Sequence, residues 1–290
     1  KPGLVYIGSV LQSYRGEMST NYSLELREGT TAIAPDAFKN QTNLVSVTLS
    51  EGLTEIGASA FEGCMGLTTV ALPDSLTTLG KAAFRNCIKL TSATLGGITS
   101  VPESAFENDR ELTAITFGEK ITEIGKSAFA GCTKLSDVTI PANVQNIGET
   151  AFRSCIGITQ LTIENGVQSI GRSAFYMLSI TEITVPDSVN SLGESIFSTC
   201  ANLTTATINS DSVGFQMFYN CAKLANVTLG DNVKSIGSEA FFGKNTSDML
   251  KQLKSIDLKN VESIGSKAFC STGLTALTLP AALKEIGANA

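Results

Sequence analysis

The chain has 290 residues, 17% of them charged and 42% hydrophobic, with a formal net charge of −6. An acidic chain without a Lys/Arg cluster is a poor partner for nucleic acid or an anionic membrane, and no apolar run approaches the roughly 20 residues that span a bilayer. Histidine is absent, which removes the commonest general base and metal ligand and every Ser-His-Asp or Cys-His arrangement.

Residues 1–21 carry Leu4, Val5, Tyr6, Ile7, Val10 and Leu11 and do not share the pattern that follows. They read as an N-terminal cap over the first apolar face of a stack, or as the tail of another domain. From residue 22 onward one pattern recurs, clearest in Leu67–Cys87: L-x-x-V-x-L-P-x-x-L-x-x-L-G-x-x-A-F-x-x-C. Its Phe stands at 38 and then at Phe61, Phe84, Phe106, Phe129, Phe152, Phe175, Phe197, Phe218, Phe241 and Phe269, at steps of 21 to 28 residues. A fixed period in the twenties is the signature of a solenoid, whose repeats bury their apolar side only against neighbours.

Each slot has a physical reading. An alternating apolar pair after the Phe, such as Val70 and Leu72 or Leu161 and Ile163, marks a short half-buried strand. A polar turn follows, often opened by proline, as at Pro73, Pro141, Pro186 and Pro280. Gly stands four residues before the Phe in nine of eleven repeats; it serves a sharp corner, through positive φ or through close backbone approach. Ala precedes Phe in nine of eleven, small enough for adjacent helical turns to approach closely.

Six of seven cysteines lie three residues after a Phe: Cys64, Cys87, Cys132, Cys155, Cys200 and Cys221. Rungs of a stack are about 5 Å apart, which formally allows the pairs Cys64/Cys87, Cys132/Cys155 and Cys200/Cys221 to bridge. Side chains of one ladder run parallel rather than toward each other, and Gln41, Asp109, Leu178 and Lys244 fill the slot elsewhere. The expectation is free, buried thiols acting as small hydrophobes. Asp and Glu fall at solvent slots without an evident pair, so no enzyme, cofactor or metal site is expected.

The central outward slot of the strands holds Thr in nine of twelve cases, including Thr94, Thr116, Thr139, Thr162, Thr184, Thr207 and Thr228. Thr suits an exposed strand because it is β-branched. The same nearly uncharged, hydroxyl-lined face is the candidate binding face. It lacks the aromatic platforms that sugars stack on, so it suits a protein partner better than a glycan, although a glycan or extended peptide remains an alternative.

Two segments break the period. Asn209–Gly214 is compressed, and the repeat before Phe269 is five residues longer than the 23-residue period, its excess running from Gly243 to about Gln252. The excess reads as a surface bulge or a recognition loop. The pattern stops one position short of its next Phe, so the expectation is that the solenoid, residues 22–290, is truncated there.

These motifs resemble the BspA-like leucine-rich repeats of bacterial and protist cell-surface proteins. The resemblance implies a repeat solenoid of the α/β class, right-handed, with about eleven to twelve repeats of about 23 residues. It further implies a parallel sheet of short strands on one side and loops or single helical turns on the other. The family's use of the Cys slot for a small buried residue agrees with free thiols. The implied function is non-enzymatic: an exported surface protein, extracellular, mediating adhesion or protein binding, with glycan or peptide capture or a structural spacer as alternatives. Asp74-Ser75, Asp187-Ser188 and Asp211-Ser212 look like O-glycan acceptors of some gut bacteria, but turn chemistry is the favoured reading. Asn-x-Ser/Thr triplets at Asn21, Asn40, Asn202, Asn226 and Asn245 matter only in a eukaryotic secretory host.

Overall fold

The period produces stacked turns whose alternating pairs become face strands. In the computed structural model, which describes residues 2–244 and 250–290, the chain divides into two units, Lys1–Ser136 and Asp137–Ala290. Each is a solenoid of parallel strands.

In the first unit the face strands Thr69–Ala71, Ser92–Thr94 and Ala114–Thr116 form one parallel sheet, and Tyr22–Glu25 pairs with Leu44–Thr48. In the second, Asp137–Ile140 pairs with Gln160–Ile163, and Glu182–Val185, Thr205–Ile208 and Asn226–Leu229 form a further sheet. Registers hold like slots opposite like, for example Thr94↔Thr116 and Thr184↔Thr207↔Thr228. Period-two alternation turns the intervening residues inward: Val138, Ile140, Ile183, Val185 and Ile208 are buried.

A second column of two-residue strands was not expected from the sequence. Ala32–Ile33, Glu55–Ile56 and Thr78–Leu79 pair in order in the first unit. Ser212–Val213, Ser235–Ile236, Ser263–Ile264 and Glu285–Ile286 do so in the second. The N-terminal flank forms an antiparallel hairpin, Gly3–Ile7 with Val10–Arg15, whose second strand pairs in parallel with Ala32–Ile33.

The third side, around the Phe, corrects the expected helical turns and with them the α/β class: no helix occurs among the described residues. The reason is the backbone on both sides of each Phe. At ten of the eleven Phe the residues two before and two after adopt left-handed φ, as in Ala82 (56°) and Asn86 (60°) around Phe84, or Ser173 (52°) and Met177 (62°) around Phe175. A left-handed residue every fourth position ends any α-helix and leaves successive turns. Within one turn, Lys39 N–H donates to Asp36 C=O at 3.1 Å and Gln41 N–H to Phe38 C=O at 3.0 Å. The alternate N–H groups cross to the next turn: Asp36 to Ala58, Phe38 to Ala60 and Asn40 to Glu62, at 2.7–3.0 Å. From Asp36 to Gln41 the backbone donors thus alternate between partners in the next turn and local partners, which satisfies them where burial demands it.

The glycine slot resolves to close approach. Gly171 is not left-handed, but a Cβ there would lie 2.5 Å from Glu149 N and 2.6 Å from Gly148 C. Positive φ is carried instead by the slots flanking Phe; Asn and Gly are frequent two after it because they tolerate that conformation best, and Ser is frequent two before it.

The core is the ladder of Phe rings. In the first unit the rings from Phe38 to Phe129 stack at 5.2–5.4 Å between centroids and within 7° of parallel. In the second, Phe152 to Phe269 stack at 5.4–5.9 Å and within 14°. Centroid distances this long between near-parallel planes are the offset stack that aromatic quadrupoles favour.

Candidate binding face

The outward threonines stand where the alternation places them. Thr94, Thr116, Thr139, Thr162, Thr184 and Thr228 are exposed and Thr207 is half-buried. Threonines of two other columns behave differently. Thr91 Oγ1 donates to Thr68 C=O at 3.0 Å, Thr113 to Thr91 at 3.0 Å, and Thr204 to Thr181 at 3.0 Å. Beside the two-residue strands, Thr54 and Thr77 donate likewise to Thr31 and Thr54 C=O, at 3.0 and 3.1 Å. These hydroxyls staple one turn to the one before it. Among the described residues, the seven face threonines make no such bond, so their hydroxyls remain for solvent or a ligand. The sequence reading singles out only the outward slot and does not identify the stapling threonines; the signal separating the two is position relative to the strand.

The face is weakly acidic in the second unit. Its five face strands read DVTI, QLTI, EITV, TATI and NVTL, with Asp137 and Glu182 and no basic residue. A slot of about 290 Å³ opens on it, lined by Leu161–Ile163, Glu182–Thr184, Thr205 and Thr207. In the first unit a depression of about 420 Å³ adjoins Thr94 and Thr116, with Asp74, Glu119 and Lys120 along its border.

All seven thiols are free, and six are buried, Cys270 being half-buried. Slot thiols donate to the Phe carbonyl of the preceding turn, as Cys64 Sγ does to Phe38 at 3.1 Å and Cys221 Sγ to Phe197 at 3.2 Å. Burial pushes the Cys64 and Cys200 thiols up to about 12, and Cys87 and Cys221 well above the usual thiol range. A raised pKa is the opposite of what a nucleophilic thiol needs, so these four are not nucleophiles.

One expectation about the carboxylates fails. Asp109, in the Cys slot, is fully buried rather than at solvent. Burial holds its carboxyl well above the usual range, against the lowering pull of the Cys87 N–H bond. It is a core residue among stacked turns, not a member of a catalytic pair.

The Asp-Ser turns are engaged locally. Ser75 Oγ donates to Leu53 C=O at 2.8 Å and accepts Gly52 N–H at 3.0 Å. Ser188 does the same with Val167 and Gly166. This is the turn-chemistry reading, carried out between turns. Of the insertion at Gly243–Gln252, Asn245–Met249 lie outside the described residues; Gly243 and Leu250 are buried, and Lys244 and Gln252 are exposed. No helix among the described residues is long and apolar enough to cross a membrane.

Stacked parallel turns with a Phe ladder and a hydroxyl-lined strand face define a leucine-rich repeat solenoid. The chain belongs to the BspA type leucine rich repeat family, which matches residues 17–136, 122–248 and 242–290 in six copies. Its fold is similar to that of a leucine rich cell surface protein from Faecalibacterium prausnitzii A2-165, at 22% identity and a TM-score of 0.56, covering 100% of this chain and 96% of that one. A leucine-rich repeat protein of T. pallidum is 25% identical over 70% of this chain and 87% of its own, with a TM-score of 0.49. One from Bacteroides ovatus is 23% identical over 99% and 89%, with a TM-score of 0.41. No curated protein matches the chain.

Proposed function

We propose that the chain is the non-enzymatic, protein-binding part of an exported bacterial surface protein, and that it engages its partner through the threonine strand face. The observation that carries this reading is the division of labour among the threonines. Hydroxyls beside the face are spent on stapling turns, while those of Thr94, Thr116, Thr139, Thr162, Thr184, Thr207 and Thr228 are not. A broad, weakly charged face with unspent hydroxyls suits an extended protein contact, and the family's membership among repeat scaffolds agrees with it. The absence of basic residues on the second unit's face argues against nucleic acid.

Binding of the chain to immobilised matrix proteins, mucins and glycans tests the reading. Saturable binding to a protein supports it. Binding to glycans alone favours capture, and binding to nothing favours a spacer. A second reading, glycan capture, has one observation on its side: Tyr219 and Phe242 lie half-buried on the turn side with ring centroids 5.6 Å apart, and Phe215 is 39% exposed.

A further inference from the structure

The strand face of the second unit is interrupted. Asp137–Ile140 and Gln160–Ile163 form one ladder, and Glu182–Val185 begins another; none joins Gln160–Ile163 to Glu182–Val185. The break falls where the preceding turn is short. Glu182 follows Phe175 by seven residues, whereas Gln160 follows Phe152 by eight and Thr205 follows Phe197 by eight. A backbone hydrogen bond still joins the two turns at this break, Ser179 N–H to Ile158 C=O at 3.1 Å, as Thr68 N–H to Val45 C=O at 3.3 Å does at the comparable gap between Leu44–Thr48 and Thr69–Ala71 in the first unit.

The slot at the break has two kinds of wall. Its floor is aliphatic: Ile163 is 7% exposed, where Ile140 and Ile208 in the same slot are 0%, and Leu161 is 8% exposed beside 5% for Val138 in its slot. Its rim is polar: the Glu182 carboxylate and the hydroxyls of Thr162, Thr184, Thr205 and Thr207. At about 290 Å³ it is just below the range that takes a drug-sized ligand, roughly 300–1,000 Å³, and of a size for one long side chain.

We infer that this slot seats a lysine side chain of the protein partner. Its tetramethylene stem lies on Leu161, Ile163 and Ile183, and its ammonium sits at Glu182 among the threonine hydroxyls. Three features select lysine. The occupant needs an apolar stem ending in a polar head, as long basic side chains have. The strands around the slot carry two carboxylates and no cation, so the head is positive. The acceptors are one carboxylate and hydroxyls spread over three strands, which suits a point charge with three rotatable donors better than the planar fork of arginine. The inference rests on the strand-face reading in taking a protein as the source of the lysine.

The test is a titration of the full chain, labelled at isoleucine methyls, with Nα-acetyl-lysine methylamide. The norleucine and arginine amides run beside it. The methyls of Ile163 and Ile183 are expected to shift saturably with lysine amide. The affinity should be about two- to fivefold weaker for norleucine amide and for the Glu182→Gln chain, the range of an exposed ion pair. Silent methyls, equal affinity for norleucine or arginine amide, or a Glu182→Gln chain that binds unchanged would overturn the inference. The two readings fail separately. Thr139→Glu/Thr228→Lys alters the face outside the slot, and Glu182→Gln alters the slot alone. A partner lost by the first variant and fully kept by the second leaves the face standing and removes the slot.

Discussion

Asp109 Oδ1 accepts the backbone N–H of Cys87 from the preceding turn at 2.7 Å, inside the core, while its Oδ2 is buried without a partner. A carboxyl so placed is held protonated, because its charged form would be stranded in apolar surroundings. Its folded pKa therefore lies above the unfolded value of about 3.9. Between those two values the native state holds a proton that the unfolded state has released. The stability it carries is complete below about pH 3.9 and is lost as pH rises toward the folded value, at up to about 1.4 kcal/mol per pH unit. Asp109→Asn keeps the acceptor and removes the titration. Denaturant unfolding at rising pH from 4 is expected to show the variant gaining on the wild type; a constant difference would contradict this.

Thiol accessibility follows from the same slot. With six cysteines buried and only Cys270 half-exposed, a thiol reagent at neutral pH should modify one thiol rapidly and the other six only on unfolding. More than one fast thiol in the native protein would contradict the burial.

Phe197 stacks on Phe175 at 5.5 Å and on Phe218 at 5.9 Å. Phe197→Ala is expected to destabilise by about 3–5 kcal/mol through the cavity it leaves. Because coupling in a solenoid is between neighbours, hydrogen exchange should rise first in the turns around 175–218, not uniformly along the unit. Uniform loss of protection would argue against nearest-neighbour coupling.

Gly171 and Met177 should respond in opposite directions. Gly171→Ala pushes a Cβ against the backbone of Gly148 and Glu149 and is expected to cost about 1–3 kcal/mol. Met177 holds φ at 62° with a bulky side chain that is 39% exposed. Met177→Asn relieves that conformation and is expected to gain about 1 kcal/mol. Thermal unfolding of both checks the assignment of close approach to one slot and left-handed backbone to the other.

How much of this was legible in the sequence follows from what each slot's chemistry advertises. Phe61 or Phe152 announces a ladder because a large apolar residue at a fixed period has one explanation. The alternation at Val138 and Ile140 announces its strand for the same reason. The two-residue strands, such as Ser169–Ile170, are too short for a period to register. The sequence suggests helical turns there because Ala before Phe suits a helix, while the left-handed residues on both sides are often Ser, Thr or Asn, which also suit caps. Asn40, Gly63, Asn86, Asn108 and Gly131, all two after Phe, were the signal that could have shown it. Asp109 could not be placed by type alone, since buried carboxylates are rare. At the face, the seven threonines could be assigned to an outward slot, but which hydroxyls staple turns depends on a distance to the preceding turn, such as 3.0 Å from Thr91 to Thr68, that only the fold supplies.

The central claim is that the unspent hydroxyls, and not the staples, contact the partner. The direct measurement is the affinity of three chains for one immobilised protein that the wild type binds saturably: wild type, Thr139→Glu/Thr228→Lys, and Thr204→Val. Thr204→Val removes a 3.0 Å staple to Thr181 and is expected to lose about 1 kcal/mol of stability with its affinity unchanged. The face variant is expected to keep its stability within about 0.5 kcal/mol and lose its binding. Binding that survives in the face variant would contradict the account and move the contact to the turns.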